Sequence, residues 1–170
     1  MSLNDSGYLR THDYIQETAY STNDAGLANS SARLLPPRAV VFSRDATIGL
    51  CAITTVPLAV SQHFIAWLCG DRIIPEYLLL ALKSMEQEFE RLSMGATIGT
   101  LGVPEVRALA IPVPPLPEQE AIIAQVKGRT SEIGALATRV QSAIALLREY
   151  RAALIHAAVT GKIDVREEVA

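Results

Sequence analysis

The side chains that can do covalent or acid–base chemistry are scattered through this sequence, and none stands at a spacing that a reaction needs. The histidines His12, His63 and His156 lie far apart, and none has a second ligand type at metal-binding distance along the chain. Gly95, Gly99 and Gly102 match neither the phosphate-loop nor the dinucleotide pattern, and no lysine follows them where it would reach a phosphate. No serine occupies a nucleophile elbow. The proline pairs at 36–37 and 114–115 lack the preceding Asn and following aromatic residue of amino-methyltransferase motifs. Asp45 beside Arg44 reads as a solvated turn and not as a catalytic pair. Cys51 and Cys69 lie in apolar, strand-like runs and read as two buried thiols in a reducing compartment. This inventory leaves an autonomous enzyme without a residue to stand on, and it directs attention to surfaces that bind.

Composition narrows the class further. The chain has 170 residues and is 49% hydrophobic, which suits one compact domain plus an extension. No run approaches the ~18 uncharged apolar residues of a membrane-spanning helix. The start at Met1-Ser2-Leu3-Asn4-Asp5 has neither the basic nor the apolar segment of a signal peptide, so a cytoplasmic protein is expected. Residues 1–114 carry 8 Lys/Arg and 11 Asp/Glu, a net −3, whereas residues 115–170 carry 7 of each and sum to zero. Neither part has the basic excess of a protein that binds nucleic acid alone.

The elements that must position any site follow from periodicity. Residues 1–34 are polar and weakly patterned, with Tyr8, Tyr14, Ile15, Tyr20 and Leu27 too sparse to define an element. Asn29-Ser30-Ser31 has loop or cap chemistry, and Pro36-Pro37 stops any preceding helix. Ala39 to Ser43 reads as a strand, interrupted by Arg44-Asp45-Ala46-Thr47 and resumed from Ile48 to Thr54, with Gly49 as a turn or bulge. Ala59 to Leu68 reads as a third strand, disturbed by Gln62 and His63. Pro75 opens a helix expected to run to about Ser93. Residues 94–102 form a Gly/Thr-rich loop, Pro104 to Arg107 one helical turn, and Leu109 to Val113 a last β-run. Ala-Thr-Ile-Gly occurs twice, at 46–49 and 96–99, each time as a short loop between apolar runs.

Pro112, Pro114, Pro115 and Pro117 then make a stiff joint into the longest element. From Pro117 to about Thr160 the chain reads as one helix, roughly 65 Å long at 1.5 Å per residue. Pro117, Glu118 and Glu120 suit its first turn, and Gly161 suits its C-terminal cap. Val126, Ile133, Val140, Leu147 and Leu154 recur at an unbroken seven-residue interval. Such a row stays on one side of a helix only when that side faces a partner helix. Gly128 and Gly134 lie off this row. The fold class expected is α+β: a small mixed β-rich domain over residues 1–114, followed over 115–170 by a long coiled-coil-forming helix and a tail.

Two stretches together carry a resemblance. Ile111-Pro112-Val113-Pro114-Pro115-Leu116-Pro117-Glu118-Gln119-Glu120 closes a domain and opens a helix. Leu147-Arg148-Glu149-Tyr150-Arg151-Ala152-Ala153-Leu154-Ile155, followed by Val159-Thr160-Gly161-Lys162-Ile163-Asp164, ends that helix. Both resemble the specificity (S) subunit of type I restriction-modification systems. Val41 to Gly49, Val60-Ser61-Gln62-His63-Phe64 and Pro75-Glu76-Tyr77-Leu78 stand upstream in that family's order, so the resemblance covers roughly residues 30–168. It implies a non-catalytic target recognition domain that reads one half of a bipartite double-stranded DNA sequence. It also implies a spacer helix that pairs with a second such helix and docks methyltransferase (M) subunits and, in the larger assembly, a restriction subunit. No cofactor is then expected on this chain; S-adenosylmethionine, ATP and Mg belong to the partner subunits. An intact S subunit carries two domain-plus-helix units and this sequence one, with a front shorter than the family's usual domain. It therefore reads as a half-subunit or fragment whose helix partner is a second copy or another S half.

Within that resemblance, base reading needs donors and acceptors on loops that enter a groove. Ser43, Arg44 and Thr47 in the first interrupted strand, Gln62 and His63 in the third, and Thr97 and Thr100 in the glycine loop are the candidates. Arg33, Arg38, Arg72 and Arg107 are weaker candidates for phosphate contact. The alternative is a coiled-coil adaptor whose globular part binds protein and not DNA.

Overall fold

A computed structural model describes residues 2–3, 7–10, 12–18, 22–45, 47–93 and 99–163. The chain divides into two compact units, Met1–Ile123 and Ala124–Ala170. The first is built around a hairpin of β4 (Ala39–Ser43) and β5 (Cys51–Thr54), with Val40 opposite Ile53 and Phe42 opposite Cys51. Every residue of both strands is buried. That explains why neither run alternates apolar with polar: a strand covered on both faces has no solvent side to mark. The turn between them needs Gly49. Its φ is +91°, and a Cβ there would stand 3.0 Å from the Phe89 ring.

Two layers cover this hairpin. Val40, Phe42, Cys51 and Ile53 face α2 (Pro75–Lys83), α3 (Glu86–Ser93) and α4 (Val103–Arg107) through Leu78, Leu79, Leu82, Phe89 and Val106. Phe42 makes edge contacts with Trp67 and Phe89 there, with ring centroids 5.8 and 5.1 Å apart. On the opposite face Val41 and Ala52 pack with Leu9, Ile15, Leu58, Val60 and Phe64. The four-stranded sheet runs in the order β2 (Tyr14–Ile15), β5, β4, β7 (Phe64–Leu68), with β2 parallel to β5 and the other pairs antiparallel. A three-stranded sheet of β1 (Ser2–Leu3), β6 (Leu58–Val60) and β3 (Arg33–Leu35) supplies the second cover. A 3-10 turn at Gly7–Arg10 and a short helix α1 (Asp24–Ala28), capped by the Asn23 side chain, complete the front.

Four expectations need correction. The run from Ala59 to Leu68 is not one strand: β6 and β7 belong to different sheets, and Ser61, Gln62 and His63 carry the chain between them. The helix opened by Pro75 breaks between Lys83 and Glu86. There the Ser84 hydroxyl donates to the Ala81 carbonyl and Met85 N–H to Leu82, which turns the apolar face of α3 toward Gly49 and Phe42. Leu109 to Val113 forms no strand; it is extended chain whose Leu109 and Ile111 pack on the helical side of the core. Residues 1–34 are too sparse to read, and the described part of 1–35 contributes three short strands and α1, because two- and three-residue strands leave no periodicity to detect.

The long helix, α5, spans Leu116–Val159. It ends as its glycine suggests. Gly161 has φ +72°, its N–H bonds to Ala158 at 3.2 Å, and Lys162 N–H bonds to Ala157 at 2.8 Å. These are the paired bonds of a Schellman cap.

Candidate nucleic-acid interface

Three loops far apart in sequence meet at one place, and Arg44 clasps them. Its main-chain N–H donates to the His63 carbonyl (3.1 Å), and its carbonyl accepts from Leu101 N–H (2.9 Å). Its guanidinium donates through Nε to the Gln62 carbonyl (3.2 Å) and through a terminal nitrogen to the Leu101 carbonyl (3.1 Å). Next to it, Asp45 and Thr100 form an antiparallel bridge. Gly99 lies against Ile48, with an added Cβ 3.4 Å from Ile48 Cδ1. The described ends of the two Ala-Thr-Ile-Gly copies are thus brought side by side.

Within the clasp, His63 Nδ1 and Asp45 Oδ2 are 2.6 Å apart. The carboxylate side chain is 22% exposed and the imidazole 54%, so the acid faces inward and the ring outward. Burial pushes the Asp45 carboxyl up. The hydrogen bond from His63, the Thr100 side chain and the Arg44 charge together outweigh it, and the carboxyl lies below its ordinary value. Asp45 is therefore half of a defined acid–imidazole pair and not the solvated turn residue expected.

The remaining candidates differ in what they can offer. Ser43 is buried, and its hydroxyl donates to the Asp45 carbonyl (3.3 Å) and lies 3.4 Å from Thr47 Oγ1. It shapes the loop from inside. Gln62 is exposed; its Oε1 accepts from the Ser31 hydroxyl (2.8 Å), and the amide retains two N–H donors. Thr100 is exposed and Thr47 half-buried. Thr97 lies outside the described residues. Among the phosphate candidates Arg33, Arg72 and Arg107 are exposed, whereas the Arg38 guanidinium forms a two-point pair with Glu76 at 2.8 and 3.0 Å. Among the described residues no group of three or more His, Cys, Asp or Glu stands where it could hold a metal ion. Burial pushes the Cys51 thiol up to about 12, which leaves it unreactive. Cys69, expected to be buried, is only half so.

One residue with a structural role has no periodic signal in the sequence. Gln119, in the first turn of α5, is completely buried. Its Oε1 accepts from Ile74 N–H (2.9 Å), and its Nε2 donates to the carbonyls of Arg72 (2.9 Å) and Pro114 (2.8 Å). The Tyr77 hydroxyl donates to the Pro112 carbonyl at 2.9 Å. The proline joint cannot donate from its own ring nitrogens, and these side chains supply the missing donors. Farther along α5 the apolar row lies open: Ile133 is 67% exposed and Leu147 65%, with Val126, Val140 and Leu154 also exposed.

Residues 4–132 match the type I restriction modification DNA specificity domain. The chain is 28% identical over 111 residues to the type I restriction enzyme MjaIX specificity subunit of Methanocaldococcus jannaschii, covering 64% of this chain and 26% of that protein. The fold is similar to a chain from a study of complex assembly and conformational transition of the type I R-M system (TM-score 0.66, 22% identity, 74% of this chain and 31% of that one). It is also similar to the HsdS subunit of Thermoanaerobacter tengcongensis (TM-score 0.53, 22% identity, 61% and 24%). The likeness to these two structures is one of fold, over the parts of each chain that match. The chain belongs to the type I restriction modification DNA specificity domain family, and it spans about a quarter of the curated relative it matches.

Proposed function

We propose that this chain is the sequence-reading module of a type I restriction-modification assembly. The loop cluster clasped by Arg44 reads one half of a bipartite DNA target. The exposed row from Val126 to Leu154 pairs with a second spacer helix, from another copy or another S half, and the long helix docks methyltransferase subunits. The chain is cytoplasmic and non-catalytic; S-adenosylmethionine, ATP and Mg act on the partner subunits. The observation that carries this reading is the meeting of residues 43–45 and 47 with 62–63 and 99–101. Loops separate in sequence and joined by main-chain hydrogen bonds give the rigid array of donors and acceptors that direct readout requires.

The acidic balance shapes how the work is divided. With a net −3 over residues 1–114 and the Arg38 guanidinium engaged by Glu76, this domain supplies discrimination while the methyltransferase supplies most phosphate contacts. Gel-shift titrations of the chain, alone and with its methyltransferase, test this. Alone it binds weakly and without sequence preference; in the complex it becomes sequence-specific. Nanomolar, sequence-specific binding by the isolated chain at moderate salt would refute the division. The same acidity is what favours the adaptor reading, and stable dimers indifferent to DNA, with or without methyltransferase, would establish it instead.

A further inference from the structure

Resting on the DNA-reading proposal, we infer that His63 determines specificity at one base pair. It presents Nε2 as a fixed hydrogen-bond acceptor that selects an exocyclic amine in the major groove, the N6 amine of adenine or the N4 amine of cytosine. The reason is geometric. Asp45 Oδ2 lies 2.6 Å from Nδ1, and a carboxylate only accepts, so Nδ1 carries the proton. In the neutral ring Nε2 then has a lone pair and no hydrogen. A side-chain amide presents both signs and turns over to suit either; an imidazole tied at one nitrogen presents a single sign at the other.

The anchor is rigid at both ends. The Asp45 main chain is bridged to Thr100, and its carbonyl accepts from the buried Ser43 hydroxyl. The His63 carbonyl accepts from Arg44 N–H, and the Gln62 carbonyl before it accepts from Arg44 Nε. The ring, 54% exposed, is thus held from behind by a shielded acid and open in front. The other candidates do not offer this: Ser43 is buried, and the Arg44 guanidinium is turned to two main-chain carbonyls. In the major groove cytosine presents its N4 amine and adenine its N6 amine beside the N7 acceptor, whereas guanine and thymine present only acceptors, at O6, N7 and O4. A fixed acceptor therefore favours the first pair and opposes the second.

Two measurements test the inference. Nitrogen-15 NMR of the full-length chain, at the same pH as the DNA selection described next, reads the tautomer and the protonation of the ring directly. A protonated Nδ1 and a pyridine-like Nε2 are expected; the opposite tautomer, or protons on both nitrogens, overturns it. Second, the full chain assembled with its methyltransferase is selected against DNA randomised across the half-site. One position should favour adenine or cytosine by roughly tenfold, within the range of one mismatched base pair, and the recovered base says which amine is read. In His63→Ala that preference collapses to near even while the other positions keep theirs, and Asp45→Ala weakens the same position. An even loss of binding across all positions in His63→Ala, or an unchanged profile, overturns the role of His63 alone. A wild-type assembly with no preference anywhere overturns the DNA-reading proposal with it.

Discussion

Gln119 satisfies buried main-chain groups and Asp45 anchors the half-exposed His63 ring, and each can be tested by removing one set of atoms. Gln119→Leu keeps roughly the same volume but leaves Ile74 N–H and the carbonyls of Arg72 and Pro114 without their partner. Stranding buried polar groups costs about 1–3 kcal/mol each when no water replaces the bond. With partial hydration a total loss of about 2–4 kcal/mol is expected, read as a lower urea midpoint at unchanged slope. Asp45 predicts a pH dependence. Its folded value lies below its unfolded one, so its contribution is complete above the ordinary carboxylate range. It disappears as pH falls through the lowered folded value, below about pH 4. Asp45→Asn should cost about 1 kcal/mol near neutrality and flatten this acid limb of the stability curve. An identical acid limb in the variant would show that other carboxylates set it.

At the scale of elements, α5 carries two internal glycines that its own unit does not need. Gly128 and Gly134 have nothing within 4 Å of an added Cβ, so neither is forced by sterics in the isolated chain. Gly134→Ala is expected to raise helix stability by about 0.5–1 kcal/mol, seen as a higher melting temperature by circular dichroism at 222 nm, the usual helix wavelength. A lower melting temperature would mean that a partner's backbone approaches closely there. The break between α2 and α3 makes the opposite point about periodicity. Tyr77 through Leu92 repeat at one helical spacing, yet the chain turns at Ser84 and Met85, where Ser84 N–H bonds to Ala81 and Met85 N–H to Leu82, and Leu82 and Phe89 join one core cluster with Phe42. Gly49, with φ +91° beneath the Phe89 ring, is the strand-side half of that fit.

For the whole molecule, the exposed apolar row on α5 is the feature on which the proposed helix pairing rests. Ile133, Val140, Leu147 and Leu154 are between 46% and 67% exposed, more apolar surface along one line than a monomer ordinarily leaves open. Burying the five row residues is worth at most ~7–15 kcal/mol before ordering entropy, enough to hold two helices together. The chain is expected to self-associate at tens of micromolar by light scattering, and Leu147→Asp to return it to a monomer. A wild-type monomer at that concentration, or an oligomer untouched by Leu147→Asp, would reject pairing through this row. Surface ion pairs occur in both units, Arg38–Glu76, Lys83–Asp13 and Arg91–Glu88 in the first and Arg129–Glu132 on α5. Phosphate contacts are ionic whereas the α5 row is apolar, so salt is expected to weaken the proposed DNA contacts far more than the proposed pairing of the helices.

The amino-acid sequence by itself determined the long helix and its ends, the hairpin turn at Gly49 and the proline joint. Each rests on local physics: a seven-residue apolar interval, a backbone angle that favours glycine, a ring that removes a donor. It also marked Arg44, Gln62 and His63 as polar interruptions in apolar runs and Thr100 as part of a glycine-rich loop. Only the tertiary structure decided that they form one cluster, because the hydrogen bonds joining residue 44 to residues 62, 63 and 101 have no periodic trace in the chain. The same is true of Gln119, whose three partners lie on Arg72, Ile74 and Pro114. Local pattern reports which face of an element is apolar; it is silent about polar contacts between residues far apart, and those contacts turn three loops into a candidate reading surface.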